Sequence, residues 1–414
     1  MTEYNLEKTK NLHILTVPHQ GSKAITVMML FGSGSRHEDK NFAGIAHFTE
    51  HMVLTGTKKR PTQTQLGGVI DKVGARYNAF TGKEFTGFYG QVMAEKFEAV
   101  LDFISDGIQN SLLKQSVIEN ERTIILQELN MFLDTPTRYI HDIYEDIVWP
   151  NHQLGAHIAG TKESVKKIDQ NAIRNQIKNY TAPESALILV GNPKTISNAA
   201  KIAKKYFKLP ENKKRKDTTL NIQQTEPNIL NYYKKTDQAH LLIGFRTCGI
   251  NNNKDAQSLS ILKNILAGYL SARLYTILRE KHGLTYDCRA FSDHYSDSGS
   301  FEIKAGVANN KAQKTVDLVL KEIEKLKKGP IPQSEFKKAQ DNLIGNIIID
   351  FEDQQDLALF YGNQKLYGKK ILTSAQILNI TKSLTPADIQ KTAREYFTSN
   401  RLNIALIGQN KVKL

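Results

Sequence analysis

Gly44-Ile45-Ala46-His47-Phe48-Thr49-Glu50-His51-Met52 contains the pattern H-x-x-E-H. On a helix, residues four apart project from one face, so the imidazoles of His47 and His51 stand one turn from each other. That is the spacing two ligands of a single Zn²⁺ require. Glu50, three residues after His47, lies on the same side, where it can reach a water beside the metal without binding the metal itself. The order inverts the better-known H-E-x-x-H and places the same groups on the same helix face. The plainer alternative is a helix with two ordinary histidines.

Two histidines leave a catalytic zinc one ligand short, because such sites take three protein ligands and a water. A carboxylate on another element is expected. Glu119 to Phe132 carries apolar Ile124, Ile125, Leu129 and Phe132 at helical spacing. Glu121 and Glu128 share a face of that helix but stand about 10 Å apart along its axis, too far for both to bind one ion. One should be a ligand and the other a supporting group behind the ligands.

His47-Phe48-Thr49-Glu50-His51, followed by 76 residues (52–127) and then Glu128, resembles the signature of the pitrilysin family of zinc metallopeptidases, the inverzincins. Gly44-x-Ala46 before the motif and Gly56-Thr57 after it agree. The resemblance implies that Glu128 is the third ligand and that Glu121 orients a ligand histidine. It is to the family's short, two-domain subunit type and extends over nearly the whole chain.

The 414 residues suffice for two to four ordinary domains. With 40% hydrophobic and 24% charged residues, the composition is that of a soluble globular protein. There is no run of 18 apolar residues, so no membrane span is expected. Met1–Glu7 carries neither a signal-peptide nor a transit-peptide pattern, and the cytoplasm is the expected location. Cys248 and Cys288 are the only cysteines, so no disulfide framework is expected. The net charge of +14 raises nucleic-acid binding as a reading, but no recognition motif accompanies it. Lys213-Lys214-Arg215-Lys216 reads as a solvated linker.

In chain order, Leu12–Val17 and Ala24–Phe31 read as strands, 61–73 as a helix ended by Gly74, and 76–92 as strand. Helices follow over 94–112, 119–132 and 139–148, then a helix at 172–180 and a strand at 186–190. A similar order returns: strands at 229–233 and 241–245, a helix at 254–277, paired strands at 287–307, helices at 311–326, 333–353 and 387–397, and a strand at 402–407. Gly191 and Gly408, each closing a terminal strand, are 217 residues apart, about half the chain. The reading is two copies of one unit: residues 1–210, a linker 211–224, and residues 225–414. The expected fold is α+β, each half a mixed, largely antiparallel sheet covered by helices. Duplicated halves are also what the family resemblance implies. The counterpart helix around Leu259–Tyr269 has no His, Asp or Glu, so one zinc per chain is expected, in the first half.

Asn78-Ala79-Phe80-Thr81-Gly82 resembles the family's edge strand beside the metal, to which an extended peptide can add. By the same resemblance, Arg279 and Tyr286 hold the peptide and its developing oxyanion; taken alone, Arg279 reads as a surface charge and Tyr286 as core. A cation and a phenol O–H can both stabilise a tetrahedral intermediate. His13, His19, His37, His141, His152, His157, His240, His282 and His294 receive no role.

The function implied is a zinc-dependent endopeptidase for short or unfolded peptides. Zn²⁺ held by His47, His51 and Glu128 would bind and acidify a water, Glu50 would move its proton, and Arg279 and Tyr286 would assist. Relatives about twice as long close four such units around the substrate, so two subunits are expected to pair, as a homodimer or with a paralogue. The rival readings are a non-catalytic partner subunit and a basic nucleic-acid-binding protein; no specific nucleic acid and no membrane are expected as partners.

Overall fold

The computed structural model describes residues 4–181, 183–211, 220–368 and 370–414; the basic run Lys213–Lys216 and most of the expected linker lie outside them. The central strands are nearly continuous apolar runs, which is how a strand buried on both faces reads. Strands β1 (Asn5–Lys8), β2 (His13–Pro18), β3 (Ala24–Phe31), β4 (Arg76–Thr81), β5 (Thr86–Met93) and β6 (Ser185–Gly191) form one sheet in the order β1-β2-β6-β3-β5-β4. Only the β2–β6 pairing is parallel. Strands β7 (Asn228–Tyr233), β8 (Gln238–Thr247), β9 (Thr285–His294), β10 (Gly299–Ala308) and β11 (Leu402–Gly408) form a second sheet, β7-β11-β8-β10-β9. Here only β7–β11 is parallel. Without β1, the two sheets have the same strand order and the same single parallel pair. The duplicated, mixed and mainly antiparallel α+β architecture expected from the sequence is therefore present.

The alternation along β3 sorts its side chains between two cores. Ile25, Val27, Met29 and Phe31 join a cluster with Val100, Ile104 and Ala199, whereas Met28 and Leu30 join Ile188, Leu357, Ala358 and Tyr361. The first helices are α1 (Ile45–Val53), α2 (Gln63–Asp71), α3 (Phe97–Asn110), α4 (Gln115–Asp134) and α5 (Pro136–Val148). One face of the first sheet packs α3 and helix Pro193–Tyr206; the opposite face packs helix Gln354–Leu366. Gly362 makes that second approach close: a Cβ there would lie 2.5 Å from Leu30 Cδ1. In the second sheet, Leu242, Ala405 and Ile407 face Ile140, Ile143 and Tyr144 of α5, while Leu241, Ile243 and Leu406 face the other core.

Two compact units result. The first comprises Met1–Met131, Ala156–Thr218 and Ile349–Ser374; the second comprises Phe132–Gly155, Thr219–Ile348 and Ala375–Leu414. Each unit is thus built mainly from one half of the chain and completed by a helical stretch from the other, α5 in one case and Gln354–Leu366 in the other. Each sheet has two apolar faces, and the borrowed helix covers the second.

Two helices differ from their sequence reading. The stretch 254–277 is not one helix: Asn253–Lys263 passes into a π-helical turn, Asn264–Gly268, in which Ala267 leaves helical geometry, and Tyr269 is extended. The buried Asn264 amide donates to Ala339 O (3.1 Å) and Asn342 Oδ1 (3.1 Å) at that break. The helix read over 333–353 ends at Asp350, because Asp353 caps a new helix by accepting from Gln355 N (2.6 Å) and Asp356 N (3.1 Å). No helix among the described residues is long and apolar enough to cross a membrane.

Candidate metal centre

Helix α1 starts at Gly44, whose φ of +91° suits a residue without a side chain; a Cβ there would also lie 2.5 Å from Ala159 O. A glycine supplies no capping oxygen. The buried carboxylate of Glu38 does so instead, accepting from Gly44 N (2.7 Å) and Ala46 N (2.8 Å). Burial pushes the Glu38 carboxyl up to about 8, against the pull of those two backbone donors.

The apolar faces of α1 and α4 pack together. Ile45, Phe48 and Met52 share a cluster with Ile118, Ile125 and Leu129. Helical phase then leaves the polar faces adjoining, and four side chains converge there. His47 Nε2 and His51 Nε2 each stand 3.8 Å from Glu128 Oε2. The two imidazole rings are 4.7 Å apart, and one donor atom from each of His47, His51 and Glu128 lies within 4.8 Å of the others. Glu121, one turn-pair earlier on α4, is not in that trio; its Oε2 is 3.0 Å from His51 Nδ1. Of the two glutamates that the helix geometry left open, Glu128 faces both Nε2 atoms and Glu121 backs one ring.

The donor set fits zinc. An ion about 2.0–2.2 Å from each nitrogen and oxygen spans separations of this size, and two imidazoles with one carboxylate leave a coordination position open. Burial, and then the neighbouring His51 and His157, push His47 down to about 3, keeping its lone pair available. At His51 burial opposes the charged ring, but the Glu121 hydrogen bond and nearby carboxylates outweigh it and raise the pKa. With Nδ1–H directed to Glu121, the Nε2 lone pair of a neutral His51 faces Glu128.

Glu50 stands outside the trio, and its Oε2 accepts a 2.6 Å hydrogen bond from Thr81 Oγ1. Burial raises the Glu50 pKa, while the Thr81 bond opposes the shift. Thr81 is the last residue of β4, which lies at the edge of its sheet; among the described residues no strand pairs its outer side. Asn78 and Ala79 are on this edge, and Asn78 Oδ1 accepts from Ala79 N (2.9 Å). Neither Thr81 nor Glu38 was identified as a site residue from the sequence. Thr81 lay within the quoted edge-strand stretch, whereas Glu38 had no local signal.

Arg279 and Tyr286 belong to the second unit and the metal trio to the first. Within the second unit, Arg279 and Tyr286 are in contact: the Arg279 guanidinium carbon is 4.5 Å from the Tyr286 ring centre. Tyr275 joins them: its ring centre is 5.0 Å from the Arg279 guanidinium carbon, and its hydroxyl oxygen accepts a hydrogen bond from Arg279 Nη1. Gly283, at φ +56°, turns the chain from the helical segment into β9. Tyr286 is 81% exposed, so the plain reading of it as core is corrected: its position on β9 turns the ring to solvent.

Residues 13–162 match the family described as insulinase (peptidase family M16), and residues 167–343 match the peptidase M16 inactive domain. The chain is 28% identical to an uncharacterized zinc protease of Bacillus subtilis over 91% of each chain. It is 29% identical to an uncharacterized zinc protease of Rickettsia bellii over 99% of this chain and 98% of that one. A protease structure from Helicobacter pylori superposes with a TM-score of 0.91 at 20% identity, covering 98% of this chain and 99% of that one. A Pseudomonas fluorescens peptidase M16 inactive domain superposes at 0.88 with 18% identity over 99% of both chains. The matched profiles, the duplicated sheets and the inverted histidine–glutamate motif agree, and the chain belongs to the pitrilysin-like M16 peptidase family.

Proposed function

We propose that this protein is a zinc endopeptidase that hydrolyses short or unfolded peptides in a chamber formed by paired subunits. The observation that carries this reading is the convergence of His47, His51 and Glu128, with Glu50 beside them but outside the donor trio. Zinc bound there would polarise the scissile carbonyl and lower the pKa of a water. Glu50 then accepts the water's proton and returns it to the leaving amine. Glu121 fixes the ring of His51. The free edge of β4 receives the peptide as an added strand, with Asn78 and Ala79 on the docking edge, and this favours extended chains over folded domains. Arg279 and Tyr286 hold the peptide and assist the oxyanion.

The description of residues 167–343 as an inactive domain suits the half whose counterpart segment, Leu259–Tyr269, has no metal-ligating carboxylate or imidazole. It does not touch His47, Glu50, His51 or Glu128. A non-catalytic subunit is the second reading, and loss of part of the donor set would favour it; here the set is intact. The free thiols Cys248 and Cys288 support a cytoplasmic location.

The test is zinc content measured alongside digestion of a peptide library. Bound zinc with cleavage of peptides, abolished in Glu50→Gln without loss of zinc, is the expected result. A zinc-loaded wild type that cuts no peptide would leave the non-catalytic reading.

A further inference from the structure

The hydrogen bond between Thr81 and Glu50 joins two parts of the proposed machinery, the edge strand and the proton-transferring carboxylate. Glu50 is on α1 and Thr81 ends β4, so their 2.6 Å contact spans two elements 31 residues apart. Both ends of that contact are fixed. The turn after Thr81 is closed by Gly82 N donating to Phe85 O (2.8 Å). Ser35 N and Arg36 N then tie it down through Gly82 O (3.1 Å) and Lys83 O (2.7 Å). Thr86 Oγ1 bonds Ser33 O (2.7 Å), and the buried Arg36–Glu84 pair (2.7 Å) locks the same turn. Two residues beyond Arg36, Glu38 holds the start of α1. One short loop, residues 33–38, thus sets the hairpin that carries Thr81 and the helix that carries Glu50.

We propose that Thr81 is a positioning residue whose hydroxyl orients the Glu50 carboxylate for proton transfer. A glutamate has three side-chain torsions, and a carboxylate that binds no metal has no ligand bond to fix them. The Thr81 hydroxyl supplies that fixed point on one oxygen and leaves the other for the reacting water. Because the hydroxyl comes from the edge strand itself, the strand that receives the peptide also sets the base, and the two keep their spacing. The plainer role, a strand-end hydroxyl satisfied by a nearby acceptor, predicts no effect specific to Glu50.

This inference rests on the peptidase reading, and the experiment separates the two. Thr81→Val removes the hydroxyl at nearly constant shape; Thr81→Ser keeps it. Each is made in the wild-type and Glu50→Gln backgrounds, loaded with zinc for kinetics and with Co²⁺ for spectroscopy. Expected for Thr81→Val is an unchanged metal stoichiometry, visible Co²⁺ spectrum, melting temperature and KM, with kcat lowered by about 10- to 100-fold, the range for a supporting group at a metal site. Thr81→Ser should regain most of the rate, and Thr81→Val should add no further loss to Glu50→Gln. Wild-type kcat in Thr81→Val would overturn the proposal. So would a loss that Ser does not restore, one that persists undiminished in the Glu50→Gln background, or one accompanied by a changed Co²⁺ spectrum or melting temperature. A zinc-loaded wild type that cuts nothing overturns the peptidase reading and this role together; an active wild type with an unimpaired Thr81→Val overturns this role alone.

Discussion

Nδ1 of His51 lies 3.0 Å from Oε2 of Glu121, and this contact determines which edge of the imidazole is left to face Glu128. Glu121→Gln keeps the size of the side chain but weakens its hold on the ring. Metal affinity, read by competition with a chelator, should fall by about 10- to 100-fold while the metal still binds at saturation.

Glu128 and His51 should behave differently from Glu121. Removing either donor leaves two ligands for the ion, so Glu128→Ala and His51→Ala should lose zinc itself during dialysis. Zinc retained at full occupancy in Glu128→Ala would sink the ligand assignment.

Arg36 and Glu84 form an ion pair with side chains only 1% and 5% exposed, at 2.7 Å. Removing one partner takes the close counter-charge away from the other, which stays buried. Glu84→Gln should therefore cost about 3–5 kcal/mol by urea unfolding of the metal-free protein. The double replacement Arg36→Met/Glu84→Leu should cost less than the sum of the single changes, because it strands neither charge.

The parts of this architecture that were legible in sequence are those written locally. The apolar runs at 24–31 and 186–190 marked strands, and the period of Ile125 and Leu129 marked α4 and put Glu121 and Glu128 on one face. The H-x-x-E-H spacing located two of the three side chains that meet in the candidate donor trio. What was not legible depends on long-range packing. Glu38 sits in a loop with no periodicity, and its role appears only where α1 begins without a capping side chain. Helix Gln354–Leu366 was missed because its apolar residues, Leu357, Ala358 and Tyr361, answer a sheet face more than 160 residues away in sequence. The break at Ala267 coincides with the long-range hydrogen bonds of Asn264 to Ala339 and Asn342, which a local reading of the stretch does not contain.

His13 offers a pH test away from the metal trio. Burial, followed by the charges of Lys365 and Lys8, pushes it down to about 4 from an ordinary value near 6.5. Between those values the unfolded chain binds the proton and the folded one does not, so folding stability falls as pH drops through this window. His13→Gln cannot take up that proton. The loss in urea midpoint of metal-free protein between pH 7.5 and pH 5.0 should be smaller in the variant than in the wild type; an equal loss would remove His13 from the acid response.

The remaining prediction concerns assembly. The donor trio belongs to one compact unit of the chain, and Arg279 with Tyr286 belongs to the other. If two subunits pair so that the second unit of each completes the site of its partner, one chain type suffices and a paralogue could replace either copy. Glu50→Gln protein and Arg279→Ala/Tyr286→Ala protein should then each be inactive as homodimers. Mixed under conditions that exchange subunits, they should regain hydrolysis, because the mixed dimer holds one intact site. That site has the donors and Glu50 of the second variant and the Arg279–Tyr286 pair of the first. Exchange is followed independently by fluorescence transfer between labelled subunits. Activity that rises with the mixed fraction supports shared sites. Complete exchange without any activity would mean that the sites are not shared in this way, and that each chain completes its site alone or with a different partner.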